Sequence, residues 1–487
     1  MTRGHRPFGS ATRSLPFAER ATGSGFRLGA AIAFLLLVFV MGGGSRGDVA
    51  SLVLLRPLAV LFAAYALWAM NAESRAAIKG PVIWLLLLAG WMTVQLVPLP
   101  ADMWSALPGR QPIFRIDQLL GQSDIWRPIS LQPSKTWNSL VSLVVPAAAL
   151  LMFAAVEDED RSTLFTGLIW VGVASALLSI MQIWMSKTDL LYFYRITNRD
   201  GMVGLFANRN HHATFLSCVL VLTGLSMRHA LLERHKRALL IVGLAATGFL
   251  MIIVLLAIGS RAGLVTGAVA LAACVAMIWP VISQIGTAAG GRQADGRLRS
   301  KGARFLVFGV LPLLVLTGLV LLFFAAEQTN SISRSLSGNY ASDMRGQTLS
   351  VITELMRANW LFGTGYGSFA GVYRMVEPDS LLQPEYFNHA HNDWLQPVIE
   401  GGLPMVLLIL VAVGWIGKKL FAVWRSRQTG ARGPGLADMF AVGSIIVIFM
   451  LASAGDYPIR TPSLTALLAL MIVLVSRSRI TSRIVRS

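Results

Sequence analysis

The chain is predicted to be an all-α integral membrane protein of about twelve transmembrane helices. Three observations predict this. Of its 487 residues 55% are hydrophobic and only 14% charged, where a soluble domain carries roughly a quarter charged residues. The apolar residues fall in repeated runs of about 17 to 25, the length that crosses a hydrocarbon core of about 30 Å. Lys and Arg, 42 in all, lie in short clusters between those runs, as they do when they hold loops on the cytoplasmic side.

Taken in order, spans are expected near 27–43, 49–70, 80–98, 136–155, 163–186, 211–228, 238–258, 262–284, 305–325, 392–416, 437–454 and 462–476. The arginines ahead of Phe26 give the start the outline of a signal peptide. The run that follows is long, lacks a small-residue cleavage site and is soon succeeded by another span, so it reads as the first transmembrane helix. With the N-terminus inside, the cytoplasmic segments include 228–237, 285–304, 417–435 and the tail from Arg477, and all the cytoplasmic segments together hold about 26 of the 42 Lys and Arg. That asymmetry requires an even number of spans. The net charge of +18 therefore reports topology, and no nucleic-acid partner is expected. Cys218 and Cys274 each sit within an apolar run and form neither a disulfide framework nor a metal motif.

Three regions are expected: an N-terminal transmembrane part at 1–198 with about five spans, a central part at 199–416, and C-terminal helices with a basic cytoplasmic tail at 417–487. Two outside loops are long, 99–135 and 326–391, the second between helices 9 and 10. Within it Met344, Ile352, Leu355, Met356 and Trp360 recur at near-helical spacing. They predict an amphipathic helix over Asp343–Trp360 lying at the membrane surface, capped by Ser342 or Asp343 and ended before Gly363. No soluble domain, coiled coil or repeat of 20 to 50 residues is evident.

Polar residues that could act chemically gather at outer helix ends. Phe387–Leu395 reads FNHAHNDWL and places His389 and His391, side chains suited to proton transfer near neutral pH, beside Asn388, Asn392 and Asp393. The plainer alternative is a polar cap to a transmembrane helix. A metal is not expected, because in a helix the two histidines point about 200° apart and no third ligand motif is evident. Ile258–Gly263 reads IGSRAG, a tight break that sets Arg261 at a helix start, where guanidinium and backbone N–H groups together favour a phosphate. The alternative there is a snorkelling anchor. Gly204–His212 reads GLFANRNHH and packs Asn208, Arg209, Asn210, His211 and His212 into five positions that suit sugar hydroxyls or phosphate, or a solvated loop. Arg345 is another outside arginine. Two charges fall inside spans, Arg56 and Glu400, which is costly without pairing or function; they are expected to approach each other, or Arg56 to face an anionic lipid headgroup.

GLFANRNHH, GSRAG at a helix start, Arg345 upstream of NWLFGTGYGSF, and HAHNDWLQPVIEGGLP occur in this order at span ends. Together these segments resemble the O-antigen ligase and polymerase-like superfamily over about residues 200–415. The resemblance implies a C-type glycosyltransferase-like membrane fold in the bacterial inner membrane with its active site facing the periplasm. It implies a glycan donor carried on undecaprenyl diphosphate, an acceptor that is lipid A–core or another glycan, and neither cofactor nor metal. By position His391 becomes the expected base and Arg261 and Arg345 the expected diphosphate-binding arginines. Asn208, Arg209, Asn210, His389, Asn392, Asp393, Arg56 and Glu400 remain as substrate-binding expectations. A polymerase joining repeat units and a protein O-glycosylating enzyme share this pattern. From another class, a flippase for the same lipid-linked sugar would show internal repeats and a charged central pathway.

Overall fold

A computed structural model describes residues 22–185, 189–199, 201–233, 238–288, 341–382, 387–428 and 435–478. The fold is almost entirely helical. The principal helices are α1 (Ser24–Met41), α2 (Leu52–Ala69), α3 (Lys79–Val94), α4 (Pro133–Ser142), α5 (Val144–Ala155), α6 (Arg161–Trp184), α7 (Arg209–Leu232), α8 (Ala238–Ala257), α9 (Arg261–Ala288), α10 (Ala341–Ala358), α11 (Phe369–Arg374), α12 (Leu395–Gln428), α13 (Leu436–Gly455) and α14 (Pro462–Arg477). Among the described residues nine helical stretches are long and apolar enough to cross a membrane, with α4 and α5 counted as one, and α3 and α14 are shorter apolar helices. The ninth expected span, 305–325, lies outside the described residues.

Helix α7 is the centre of the bundle. From His211 to Leu225 every residue is buried, so this helix is covered by protein on all sides, chiefly α9, α8, α13 and α6. Small residues let the backbones approach. A Cβ at Gly263 would lie 2.6 Å from the Ala213 methyl, and one at Gly172 would press into Val219. Close contact of this kind, more than hydrophobic burial, is what holds helices together where the solvent is itself apolar. Cys218 and Cys274 are both buried and free, as small core residues.

At one end, Arg27 pairs with Glu157, and Arg477 joins Asp158 while donating to the Val156 and Ala154 carbonyls. The loop after α3 packs at the other end. There two-residue strands β1 (Pro98–Leu99) and β2 (Arg127–Pro128) pair antiparallel with Pro98 opposite Pro128. Fully buried Arg110 donates to Asn359 Oδ1 (2.7 Å), the Ile129 carbonyl (2.6 Å) and the Gly363 carbonyl (2.7 Å). It bolts this loop to the segment after α10.

Helix α10 matches the expected amphipathic helix in extent, but its start differs: Ser342 and Asp343, the expected caps, fall inside it. Protein covers much of its apolar face. Val351, Ile352 and Leu355 form a core with Phe369, Val372, Tyr373 and Ile399. The apolar stripe was legible, but not the α11 segment that covers it. Trp360 is half exposed.

Helix α12 is broken. Gly402 has φ 63° and ψ −155° inside it, a conformation open to glycine at little cost. The interrupted backbone is satisfied by GTGYG running alongside: Thr364 N–H donates to the Ile399 carbonyl (3.0 Å), Gly365 N–H to the Glu400 carbonyl (2.9 Å) and Leu403 N–H to the Leu361 carbonyl (3.2 Å). Gln95 Nε2 donates to the Phe362 and Glu400 carbonyls, both at 2.9 Å. Gly363, Gly365 and Gly367 all have positive φ, which this winding path requires. Non-helical backbone at membrane depth is tolerated only with such replacement partners.

Gly363→Ala is expected to destabilise the protein by more than about 2 kcal/mol, since φ is 73° and the new methyl would collide with the Glu400 carbonyl. Gly414→Ala, in the same helix with open space around it, should shift stability by no more than about 0.5 kcal/mol. Thermal unfolding in detergent, followed by the monodisperse fraction, compares the two.

Candidate functional site

Four helix ends converge around one carboxylate. Asp456 follows the last residue of α13. Its Oδ2 accepts from Asn210 Nδ2 (2.7 Å) and Asn208 Nδ2 (3.2 Å) at the start of α7. Its Oδ1 lies 3.5 Å from His391 Nδ1 and 3.9 Å from His211 Nε2, ion-pair distances longer than a hydrogen bond. Asn208 is the N-cap of α7, accepting from Asn210 N–H through Oδ1 (2.8 Å). Asn210 Oδ1 in turn accepts from Ser260 Oγ (2.7 Å), and Ser260 caps α9 by accepting the Gly263 N–H (2.9 Å). The break in IGSRAG is thus a helix cap wired to the carboxylate, with Gly259 at φ 64° making the turn.

The segment ahead of α12 is irregular, with bends at His389 and His391 and a turn at Asp393–Trp394. Asn392 is its cap, its Oδ1 accepting from Trp394 N–H (2.8 Å) and Leu395 N–H (3.0 Å). Asn392 Nδ2, Asp393 N–H and Trp394 Nε1 donate to the Ala454, Ser453 and Met450 carbonyls, three of the last acceptors of α13. The capping reading therefore holds for Asn392. His391 has φ 49°, the one positive φ outside glycine among the described residues, a region where His is among the tolerated residues but still strained. His211, His389 and His391 surround the Tyr457 ring, with centroids 5.1, 4.3 and 5.0 Å away.

Beneath them lies a buried ionic group. Arg460 Nη2 donates to Glu400 Oε2 (3.1 Å), and its Nε is 3.5 Å from Asp393 Oδ1. Glu400 Oε1 accepts from Gln396 Nε2 (2.9 Å) and Phe369 N–H (3.3 Å). Gln396 Oε1 accepts from Ala390 N–H (2.9 Å), fixing the histidine segment to α12. The intramembrane glutamate is therefore paired with Arg460. Arg56, expected to approach it, instead donates to Asn138 Oδ1 (2.8 Å) and Ser142 Oγ (2.7 Å) on α4. The sequence offers no sign of which of several polar residues at span ends each charge will meet.

Burial favours the neutral forms of these loop groups, and their neighbours decide the balance. Burial alone would raise the Asp456 carboxyl, but the His391 and His211 rings and the Asn210 amide hold it down at about 2. Burial raises Asp393 to about 7 against the opposing pull of Arg460. Burial and then Arg460 keep His389 neutral well below the usual imidazole range.

Of the expected site residues, Asn208, Asn210, His389, His391, Asn392, Asp393 and Glu400 come together. Arg261 begins α9, next to Ser260, and is exposed. Arg209 is exposed in the first turn of α7. Arg345 lies in the first turn of α10, and its side chain is outside the described residues. The residues that sequence reading missed are Asp456, Tyr457 and Arg460. Their signal was an acid and a base within GDYPIRT, the short connection between two apolar spans.

Residues 246–410 match the O-antigen ligase family. The match supports the superfamily assignment and includes Arg261, Arg345 and His391. It ends before Asp456 and begins after Asn208 and Asn210, so the carboxylate and its amide partners come from outside the matched region. A search of curated proteins found no match to the chain.

The sign of one pH effect follows from Asp393. Its folded pKa lies above the unfolded value, so the folded state holds the extra proton and loses stability as pH rises from about 4 through about 7. Asp393→Asn cannot lose that proton. Its melting temperature relative to wild type is expected to climb over this window and then level off, as a melting series from pH 4 to 8 would record.

Proposed function

We propose that the protein is an O-antigen ligase-like glycosyltransferase. It moves a glycan from undecaprenyl diphosphate to an acceptor hydroxyl, on lipid A–core, at the periplasmic face of the inner membrane. The observation that carries this reading is the His391–Asp456 pair, 3.5 Å apart, within a polar cluster at one end of an apolar bundle whose central region matches the O-antigen ligase family.

An acceptor hydroxyl becomes an effective nucleophile as a base takes its proton. With Nδ1 of His391 turned to Asp456, Nε2 is the nitrogen left for that proton, and the carboxylate stabilises the imidazolium that forms. As the hydroxyl oxygen bonds to the anomeric carbon, the bond to the diphosphate oxygen breaks and that oxygen leaves with the electron pair. Arg261 and Arg345 are assigned to this growing negative charge, Arg261 with the N–H groups of the α9 terminus beside it. Direct displacement of this kind inverts the anomeric centre and requires neither metal nor covalent intermediate. Asn208, Asn210 and His389 line the acceptor side in this scheme. A C-type glycosyltransferase-like architecture is part of the same proposal.

The same chemistry serves a polymerase that extends one lipid-linked repeat with another, and the strain phenotype separates the two. In a deletion strain complemented with His391→Ala, turnover is expected to fall by roughly 10²–10⁴-fold. Long chains retained on undecaprenyl diphosphate beside bare lipid A–core identify a ligase. Single repeat units in place of long chains identify a polymerase. Unchanged surface glycan with His391→Ala removes the proposed base, and donor stranded on the inner leaflet points to a flippase.

A further inference from the structure

Arg56 is a cation within a span whose hydrogen-bond acceptors are both neutral, Asn138 Oδ1 and Ser142 Oγ, and whose Nε has no partner. No carboxylate pairs with it among the described residues. A charge in a membrane segment is costly unless something opposes it, and the surroundings indicate what does. Arg56 lines an open groove of about 680 Å³ between α2 and α4–α5, whose other walls are Pro57, Val60, Leu61, Leu140, Val141 and Val144. Every one of these is apolar.

The groove has a basic mouth. Arg56 is one turn from the start of α2, and the preceding loop turns back over α4, so that a Cβ on Gly47 would strike the Asn138 amide. That loop carries Arg46 and Asp48, joined at 2.9 and 3.0 Å. Lys135 acts on the same carboxylate and lies on the face of α4 that bears Asn138 and Ser142, by its spacing of three and seven residues. Arg46 and Lys135 act on the one acid, Asp48, and Arg56 adds a third cation at the head of α2, for a net of +2. The loop also reaches the candidate site: Gly43 accepts Ala207 N–H (3.1 Å) and Gly42 accepts Ser463 N–H (3.0 Å). This places the groove at the same end of the bundle as the catalytic cluster but on other helices.

We infer that the α2–α4 groove is a binding site for an anionic glycerophospholipid, with its phosphate on Arg56 and an acyl chain along Val60, Leu61, Val141 and Val144. A guanidinium matches a phosphate through parallel N–H donors, and the apolar walls match the chain. The site is separate from the donor site proposed above and does not depend on it.

The test is lipid retention by the purified full chain in nanodiscs of nine parts phosphatidylcholine to one part phosphatidylglycerol, read by native mass spectrometry of the released protein. Wild type is expected to carry phosphatidylglycerol enriched on the order of fivefold over the bulk ratio, the scale of one basic side chain near an anionic headgroup. Arg56→Met should return it to the bulk ratio, and Arg56→Lys should keep part of the enrichment. Val60→Trp, which fills the groove and leaves Arg56 in place, should abolish retention with a monodisperse, folded protein. Enrichment that survives Arg56→Met overturns the proposal. So does stoichiometric displacement of phosphatidylglycerol by a polyprenyl diphosphate, which would make the groove the donor's.

Discussion

A backbone carbonyl in a bilayer must find a donor, and the break in α12 turns that rule into the frame of the site. At Ile399–Gly402 the helix stops answering its own carbonyls, and the GTGYG segment and Gln95 take over. Three consequences follow from that one exchange. The segment after α10 is fixed against α12. Glu400 is held at a defined height, pointing its carboxylate at Arg460. Through Arg460 the short loop after α13 is set, and with it Asp456. Remove the replacement donors and each unsatisfied group costs several kcal/mol in an apolar surround.

Asp456 shows how little of such a site is local. Set at the end of α13, it meets partners from the start of α7 and the segment ahead of α12, and the α9 cap supports one of them. Each contributor is a helix terminus, where unpaired N–H and carbonyl groups need partners in any case. Capping side chains therefore sit at the bundle end whether or not chemistry happens there. What sets this end apart is that Asn208 and Asn210 also turn their amides toward one carboxylate, with Ser260 holding Asn210 in place.

The span pattern was legible because burial in lipid imposes a simple length and composition on each helix. The broad lie of Leu52–Ala69, Arg209–Leu232 and Leu436–Gly455 could be read from apolar runs alone. So could the gathering of FNHAHNDWL, GLFANRNHH and IGSRAG at helix ends. Partner choice could not. Arg56 and Glu400 looked like a pair because each is an isolated charge in a span, yet the distance between them is set by helix packing, which no run of apolar letters encodes. Asp456 and Arg460 are hard to single out because one acid and one base in a short connection look like the solvated charges of any loop. The amphipathic stripe of α10 was legible, but a stripe does not say whether lipid or protein will cover it.

The order of the chain adds a constraint on how the protein is made. Glu400 enters the membrane with α12, while its cation Arg460 is 60 residues further on. Asn208 and Asn210 wait still longer for Asp456, 248 and 246 residues away. Until α13 and the loop after it are made, Glu400 lacks the cation it pairs with among the described residues, and the Asn208 and Asn210 amides lack Asp456. Assembly of the site therefore joins parts of the chain made far apart in time, and the α12 glutamate meets its cation only after the turn beyond α13 has been made.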